Sequence, residues 1–151
     1  MKFLSNIETN RKCAITSTTD GDYDGDIVYF GGGTTVKGEI YHYKSDGNWE
    51  AADADAVANC DGLLGVALDS DPAAHGMLIR GMITLYHDPG AVGDVLFLST
   101  AVSGAANGGA LATATAPSGN GDIIRVIGYC LDASNGQIWF NPDNTFVEVS
   151  A

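Results

Sequence analysis

Apolar and polar residues alternate along most of this chain, in short runs broken by glycine- and aspartate-rich turns. The clearest run is Gly76-Met77-Leu78-Ile79-Arg80-Gly81-Met82-Ile83-Thr84-Leu85. Met77, Ile79, Ile83 and Leu85 share one parity and are all apolar. Leu78, Arg80, Met82, Thr84 and Tyr86 share the other, and that face is mixed. A period of two with one clean apolar face predicts a strand lying on a core. The preceding run, Gly62-Leu63-Leu64-Gly65-Val66-Ala67-Leu68, is separated from it by the acidic turn Asp69-Ser70-Asp71-Pro72. Two apolar runs about one turn predict a long hairpin. Its mixed face is too apolar for water yet holds a charge. We therefore read Leu78, Arg80, Met82 and Tyr86, together with Arg125, as a surface shared between subunits.

Elsewhere the same grammar recurs. Ile27-Val28-Tyr29-Phe30 reads as a strand ending at Gly31-Gly32-Gly33. Glu39 to Tyr43 and Trp49 to Ala52 read as a hairpin about Lys44-Ser45-Asp46-Gly47-Asn48. Asp53 to Ala58 is the one helical candidate, about one turn long with Asp53 as its cap. Asp94 to Ser99 is a strand. Residues 101–121, rich in Ala, Gly, Thr and Ser, read as a long surface loop with at most a short strand near Leu111-Ala112-Thr113. Asp122 to Leu131 and Gln137 to Phe140 form a further hairpin, and Phe146 to Val149 closes the chain. Glycines stand in mid-strand at Gly65, Gly81 and Gly128, where they mark bulges or close backbone approach. About ten short strands at regular spacing predict an all-β fold, a compact barrel or sandwich over residues 20–151. Residues 1–19 read as an extended N-terminal arm with one short strand around Cys13-Ala14-Ile15-Thr16.

Composition sharpens this picture. The 151 residues include 20 glycines and carry a formal net charge of −12. So acidic a surface disfavours nucleic acid, whose phosphates are bound by Lys and Arg. No window approaches the roughly 20 apolar residues of a membrane-spanning helix, and residues 1–8 lack a signal-peptide core. The three cysteines, Cys13, Cys60 and Cys130, form no C-x-x-C pair, so they read as free thiols of a chain made in a reducing cytoplasm. Lys2, Arg11 and Lys12 place three of the seven cations in the arm. A basic arm on an acidic body is either a docking element for an acidic neighbour or a frayed terminus.

The search for chemistry returns little. Asp20-Gly21-Asp22-Tyr23-Asp24-Gly25-Asp26 opens like a calcium loop, but the twelfth position is Gly31 where a bidentate Glu is required. It reads more simply as an Asp-Gly turn feeding a strand. No nucleophile elbow or phosphate loop occurs, and His42, His75 and His87 are widely spaced. We expect no cofactor and no catalytic site. Arg80 and Arg125 are each the lone cation of an apolar strand. A buried arginine needs a partner, so an ion pair with a carboxylate, in the domain or across a subunit boundary, is expected.

The ordered run of strand segments resembles a β domain of tailed-phage virion proteins, of the capsid decoration and tail-fibre type found in marine phages. The segments are Gly25-Asp26-Ile27-Val28-Tyr29-Phe30, Ala51-Ala52-Asp53-Ala54-Asp55, Gly62 to Leu68 and Arg80 to Leu85. They continue with Gly93 to Thr100, Ala116-Pro117-Ser118-Gly119, Val126 to Tyr129 and Ile138 to Pro142. The resemblance covers residues 22–149 and carries over no active site. It implies a homotrimeric, non-enzymatic virion protein made in the host bacterial cytoplasm. On the decoration reading the trimer bridges major capsid subunits, with Lys2, Phe3, Leu4, Arg11 and Lys12 of the arm as capsid contacts. On the alternative, a tail-fibre protein touches tail proteins or host glycan through Tyr41, Tyr43 and Tyr86.

Overall fold

Eleven strands account for the alternating runs among the residues described by the computed structural model, which are 13–15 and 17–151. They are β1 (Tyr23–Val28), β2 (Ile40–Tyr43), β3 (Trp49–Ala51), β4 (Leu64–Ala67), β5 (Met77–Thr84), β6 (Val95–Val102), β7 (Ala110–Thr113), β8 (Ile123–Ile124), β9 (Val126–Asp132), β10 (Gln137–Phe140) and β11 (Val147–Glu148). Seven of them close on themselves in the order β5, β10, β9, β6, β7, β2, β4 and back to β5, all antiparallel. The fold is thus an antiparallel barrel rather than a sandwich. β1 adds to β5, β3 adds to β2, and β8 pairs with β11 as a separate ribbon.

The barrel is filled by alternate residues of each strand. Leu64 and Val66 of β4, Ile83 of β5, Leu96 and Leu98 of β6, Ile127 of β9, and Ile138 and Phe140 of β10 form one buried cluster. Each such side chain stabilises the fold by about 1.5–3 kcal/mol through its removal from water. A second, smaller cluster of Tyr41, Trp49, Ala67 and Met77 is buried outside the barrel wall. Phe30 and Tyr43 pack on Trp49 there, with ring centroids 5.8 and 5.2 Å away.

The simple alternation expected along β5 does not hold. The pairing with β1 slips between Asp26 and Ile27, so Ile79 is left without a partner across the ladder. This bulge reverses which face a residue presents. Ile83 and Leu85 point inward as expected. Before the bulge, however, Leu78 is the inward residue, fully buried in the main core, and Met77 belongs to the outer cluster. Leu78 therefore faces the interior of its own barrel and not a neighbouring subunit. The extra residue sits beside a glycine pair, Gly25 of β1 opposite Gly81 of β5. A Cβ on either would strike the backbone of the other strand, and Gly81 also has φ 145°. Gly128 of β9, with φ 156°, is constrained in the same way against the carbonyl of Trp139. The mid-strand glycines are places where the wall bends.

The helical content differs from expectation. Residues 53–56 are not helical; the Asp53 carboxylate accepts from the amide of Asp55 at 2.9 Å in a turn, and a 3₁₀ turn follows at Val57–Asn59. A one-turn helix, α1 (Pro72–His75), lies in the acidic turn instead. Asp71 caps it by accepting from the amides of Ala73 and Ala74, and Pro72 occupies its first position. The strand expected around Cys13 is not formed at residues 13–15. β1 starts earlier than expected, at Tyr23, which places Asp24 and Asp26 in a sheet and not in a loop. The short strand within 101–121 is present as β7, and both hairpins, β2–β3 and β9–β10, form as read.

Candidate functional site: the outer wall of the barrel

The outward side chains of four adjacent barrel strands fall into one row. Val95 on β6 stands opposite Tyr129 on β9, Tyr129 opposite Trp139 on β10, and Trp139 opposite Met82 on β5. Tyr129 is 47% exposed and Val95 39%, while Trp139 and Met82 are half-buried. The order follows from the period of two. Each neighbour in sequence, Leu96, Cys130, Ile138 and Ile83, points into the core. The Arg80 guanidinium lies over the Trp139 ring at 5.8 Å, close enough for a cation–π contact. Apolar residues opposite one another on an exposed wall are the unusual feature here, since single exposed apolar residues are ordinary.

One end of the row is crossed by the chain itself. The amide of Ala14 donates to Asp24 Oδ2 at 2.8 Å, and Gln137 Nε2 donates to the carbonyl of Ile15 at 3.4 Å. Asp24 and Gln137 belong to β1 and β10, which flank β5. Residues 13–15 thus span the outer face of β5. Cys13 ends this path in a hollow of about 420 Å³ shared with Asp26, Arg80 and Trp139. A second hollow of about 240 Å³ shares Asp26 and Arg80 with the first and continues to Leu63, Ile79 and Pro142.

The residues singled out from the sequence do not all meet. Arg80 and Met82 belong to the outer row. Tyr86, 56% exposed, packs instead against Gly38. Leu78 is interior. Arg125 is only 2% exposed. Its guanidinium donates to three backbone carbonyls of the same chain: that of Cys60 through Nη1, of Gly62 through Nη2 at 2.8 Å, and of Asp143 through Nε at 2.8 Å. The fork geometry of arginine suits such a set, and burial lowers its pKa. Arg125 is therefore a clamp that ties the Cys60–Gly62 loop and the 141–144 segment to β9's start. The arm residues Lys2, Phe3, Leu4, Arg11 and Lys12 lie outside the described residues.

Among the described residues no group of three or more His, Cys, Asp or Glu side chains is placed to hold a metal ion. His42, inside β2, is buried, and its Nδ1 has no hydrogen-bond partner. The carboxylate of Asp61 stands 3.9 Å away. Burial lowers its pKa, against the opposing pull of Asp61. Tyr41 is also unavailable as a ligand contact. Its hydroxyl accepts from the amide of Val36 at 2.7 Å and donates to the carbonyl of Asn107 at 2.6 Å, and burial pushes its pKa up to about 12. The thiol of Cys60 is likewise pushed up, to about 11, by burial, which keeps it a protonated, unreactive thiol. Val95, Tyr129 and Trp139 were not singled out from the sequence, although the alternation within β6, β9 and β10 carries the signal. No protein-family model matches the chain, and comparison with curated proteins and with solved structures returns no match.

Proposed function

We propose that this chain is a non-catalytic structural protein of a tailed-phage virion, a capsid decoration protein that assembles as a homotrimer and bridges major capsid subunits. The observation that carries the reading is the apolar row Val95–Tyr129–Trp139–Met82 on the outer wall. A closed barrel has satisfied its own core. An aromatic row left outside it is surface in search of a partner, and Tyr and Trp are the residues that contribute most at interfaces. Further support comes from where the resembling segments fall. Those at 62–68, 80–85, 93–100, 126–129 and 138–142 overlap β4, β5, β6, β9 and β10 of the barrel and that at 25–30 overlaps β1, whereas 51–55 and 116–119 lie mostly outside strands.

In this reading the row is the contact between subunits, and Lys2, Phe3, Leu4, Arg11 and Lys12 of the arm are the capsid contacts. The affinity of each contact is modest, and repetition over many lattice sites supplies the rest. A tail-fibre role has one observation in its favour: Tyr29, 60% exposed, and Phe30 beside Tyr43 make an aromatic patch. One reconstruction of the virion separates the two. Density for the barrel as trimers over the head lattice is expected. Density on the tail alone would refute the decoration role in favour of the fibre, and absence from the particle would refute both.

A further inference from the structure

His42 puts a titratable ring on the core side of the barrel wall. It stands opposite Leu64 of β4 and shares a face of β2 with Ile40, and both belong to the main core. Only 2% of the residue is exposed, and its Nδ1 finds no hydrogen-bond partner among the described residues. A buried polar atom left unpaired calls for an explanation. Four charged side chains act on the ring: Asp61, Lys44, Glu50 and Arg125. Lys44, two residues further along the chain, and Glu50, opposite on β3, are joined to each other at 2.8 Å. Arg125 is engaged with backbone carbonyls. Asp61 sets a carboxylate oxygen 3.9 Å from Nδ1, beyond hydrogen-bond reach, with its side chain 56% exposed.

The clamp keeps that gap open. Arg125 Nη1 holds the carbonyl of Cys60, and Nη2 holds that of Gly62 at 2.8 Å, one on each side of Asp61. The amides of Cys60 and Asp61 donate to the carbonyl of Val57 at 3.1 and 3.0 Å, and the amide of Tyr43 donates to that of Leu63 at 2.9 Å. A charge-assisted contact between imidazolium and carboxylate forms at about 2.7–2.9 Å. Asp61 must come roughly 1 Å closer than its 3.9 Å to make one, against a loop pinned on both sides.

We propose that His42, Asp61 and Arg125 form a proton-operated latch on the 60–62 loop. At neutral pH the ring is uncharged and Arg125 holds the loop closed. Once His42 takes a proton from water, two cations stand beside one loop that offers one carboxylate. The imidazolium draws Asp61 inward, and the carbonyls of Cys60 and Gly62 come off the Arg125 fork. In the closed arrangement burial lowers the His42 pKa; Asp61 and Glu50 oppose that shift, and Lys44 and Arg125 add to it. The closed state is therefore complete above the ordinary value near 6.5 and gives way as pH falls below it. The release is local, and it does not depend on where in a particle the protein sits.

Amide hydrogen exchange on the full chain tests the latch, read as protection factors so that the intrinsic effect of pH on exchange cancels. Between pH 7.5 and 5.5 the amides of Cys60 and Asp61 should lose several-fold, and up to about tenfold, more protection than those of β10, as for a group that titrates near 6.5 only when released. His42→Gln should remove this difference. Asp61→Ala, at an exposed position, should reduce it several-fold, since the charged ring then has no carboxylate to meet. No loss, or an equal loss over the loop and β10, would overturn the inference. So would a difference that survives His42→Gln, which would place the titrating group elsewhere, or one untouched by Asp61→Ala, which would leave the loop without a reason to move.

Discussion

Replacing Arg125 by Met tests the clamp most directly, because the two readings of this residue predict opposite outcomes. Met keeps much of the apolar stem and removes all three donors. The Cys60 carbonyl sits on a residue with no exposure, and an unpaired buried acceptor costs about 1–3 kcal/mol. Gly62 and Asp143 are exposed, so their carbonyls regain water and add little. Against this loss, Met removes a charge whose burial is unfavourable, which the lowered pKa of Arg125 reflects. The net expectation is a loss of about 2–3 kcal/mol. For a chain of this length each kcal/mol is worth roughly 2–4 °C, so the melting temperature should fall by about 5–10 °C. Arg125→Lys keeps the charge but offers a compact ammonium in place of a fork, and should recover less than half of the loss. Urea and thermal melts read the stability, and sedimentation reads the oligomer. A Met variant that melts within about 1 °C of the parent would refute the clamp. A normal melt with lost assembly would return Arg125 to a subunit boundary.

Further outcomes follow from the same geometry. Arg80→Ala should cost folding no more than about 1 kcal/mol, the value of an exposed cation–π contact, while weakening self-association measurably by sedimentation; equal loss of both would refute its place in a contact. Tyr129→Asp places a carboxylate in the middle of the outer row, and should leave a folded monomer with a normal melt; an unchanged oligomer would remove this wall from the interface. Gly128→Ala forces a side chain against the Trp139 carbonyl at φ 156°, and should cost more than about 3 kcal/mol or prevent folding. Gly93→Ala, at φ 86° with open space around it, should cost only about 1 kcal/mol. His42 has a folded-state pKa below its unfolded value near 6.5. The unfolded chain therefore binds the proton more readily, so stability is complete above that pH and declines as pH falls below it toward the folded-state value. The urea midpoint should drop between pH 7.5 and 5.5, and His42→Gln should flatten that slope; an identical slope in the variant would assign it to other groups.

The fold was legible wherever a strand obeyed its period. The hairpins β2–β3 and β9–β10 could be read because turn residues and alternation agree locally, and because Ile127, Ile138 and Phe140 fall on one parity. β5 was misread because its bulge is a property of the pairing with β1, not of its own sequence. Gly81 announced that something bends there, but a single glycine does not say on which side of it the extra residue lies. The consequence was a wrong face for Leu78, one residue away from the true outer position. Arg125 was misread for a different reason. A lone cation in an apolar strand demands a partner, and sequence inspection looks first for carboxylates, yet backbone carbonyls satisfy a guanidinium without leaving any trace in residue identity. The outer row was missed because it is spread over β6, β9, β10 and β5, and its members become neighbours only through register.

The location of that row gives the functional reading its sharpest consequence. β5 supplies Ile83 to the core and Met82 and Arg80 to the outer wall, so on the proposed reading one strand serves both folding and the contact between subunits. These roles separate by face. Inward changes should act on the melt alone, since a buried side chain meets no partner. Changes at Tyr129 or Val95 should act on assembly alone, because their removal leaves the core intact. Ile79, half-buried and skipped in the β1–β5 register, stands where the two faces meet. If it only marks the bend, Ile79→Asp should leave the melt close to that of the parent; if it holds the barrel's bend, the same variant should lose its fold, and thermal melting of this single variant distinguishes the two.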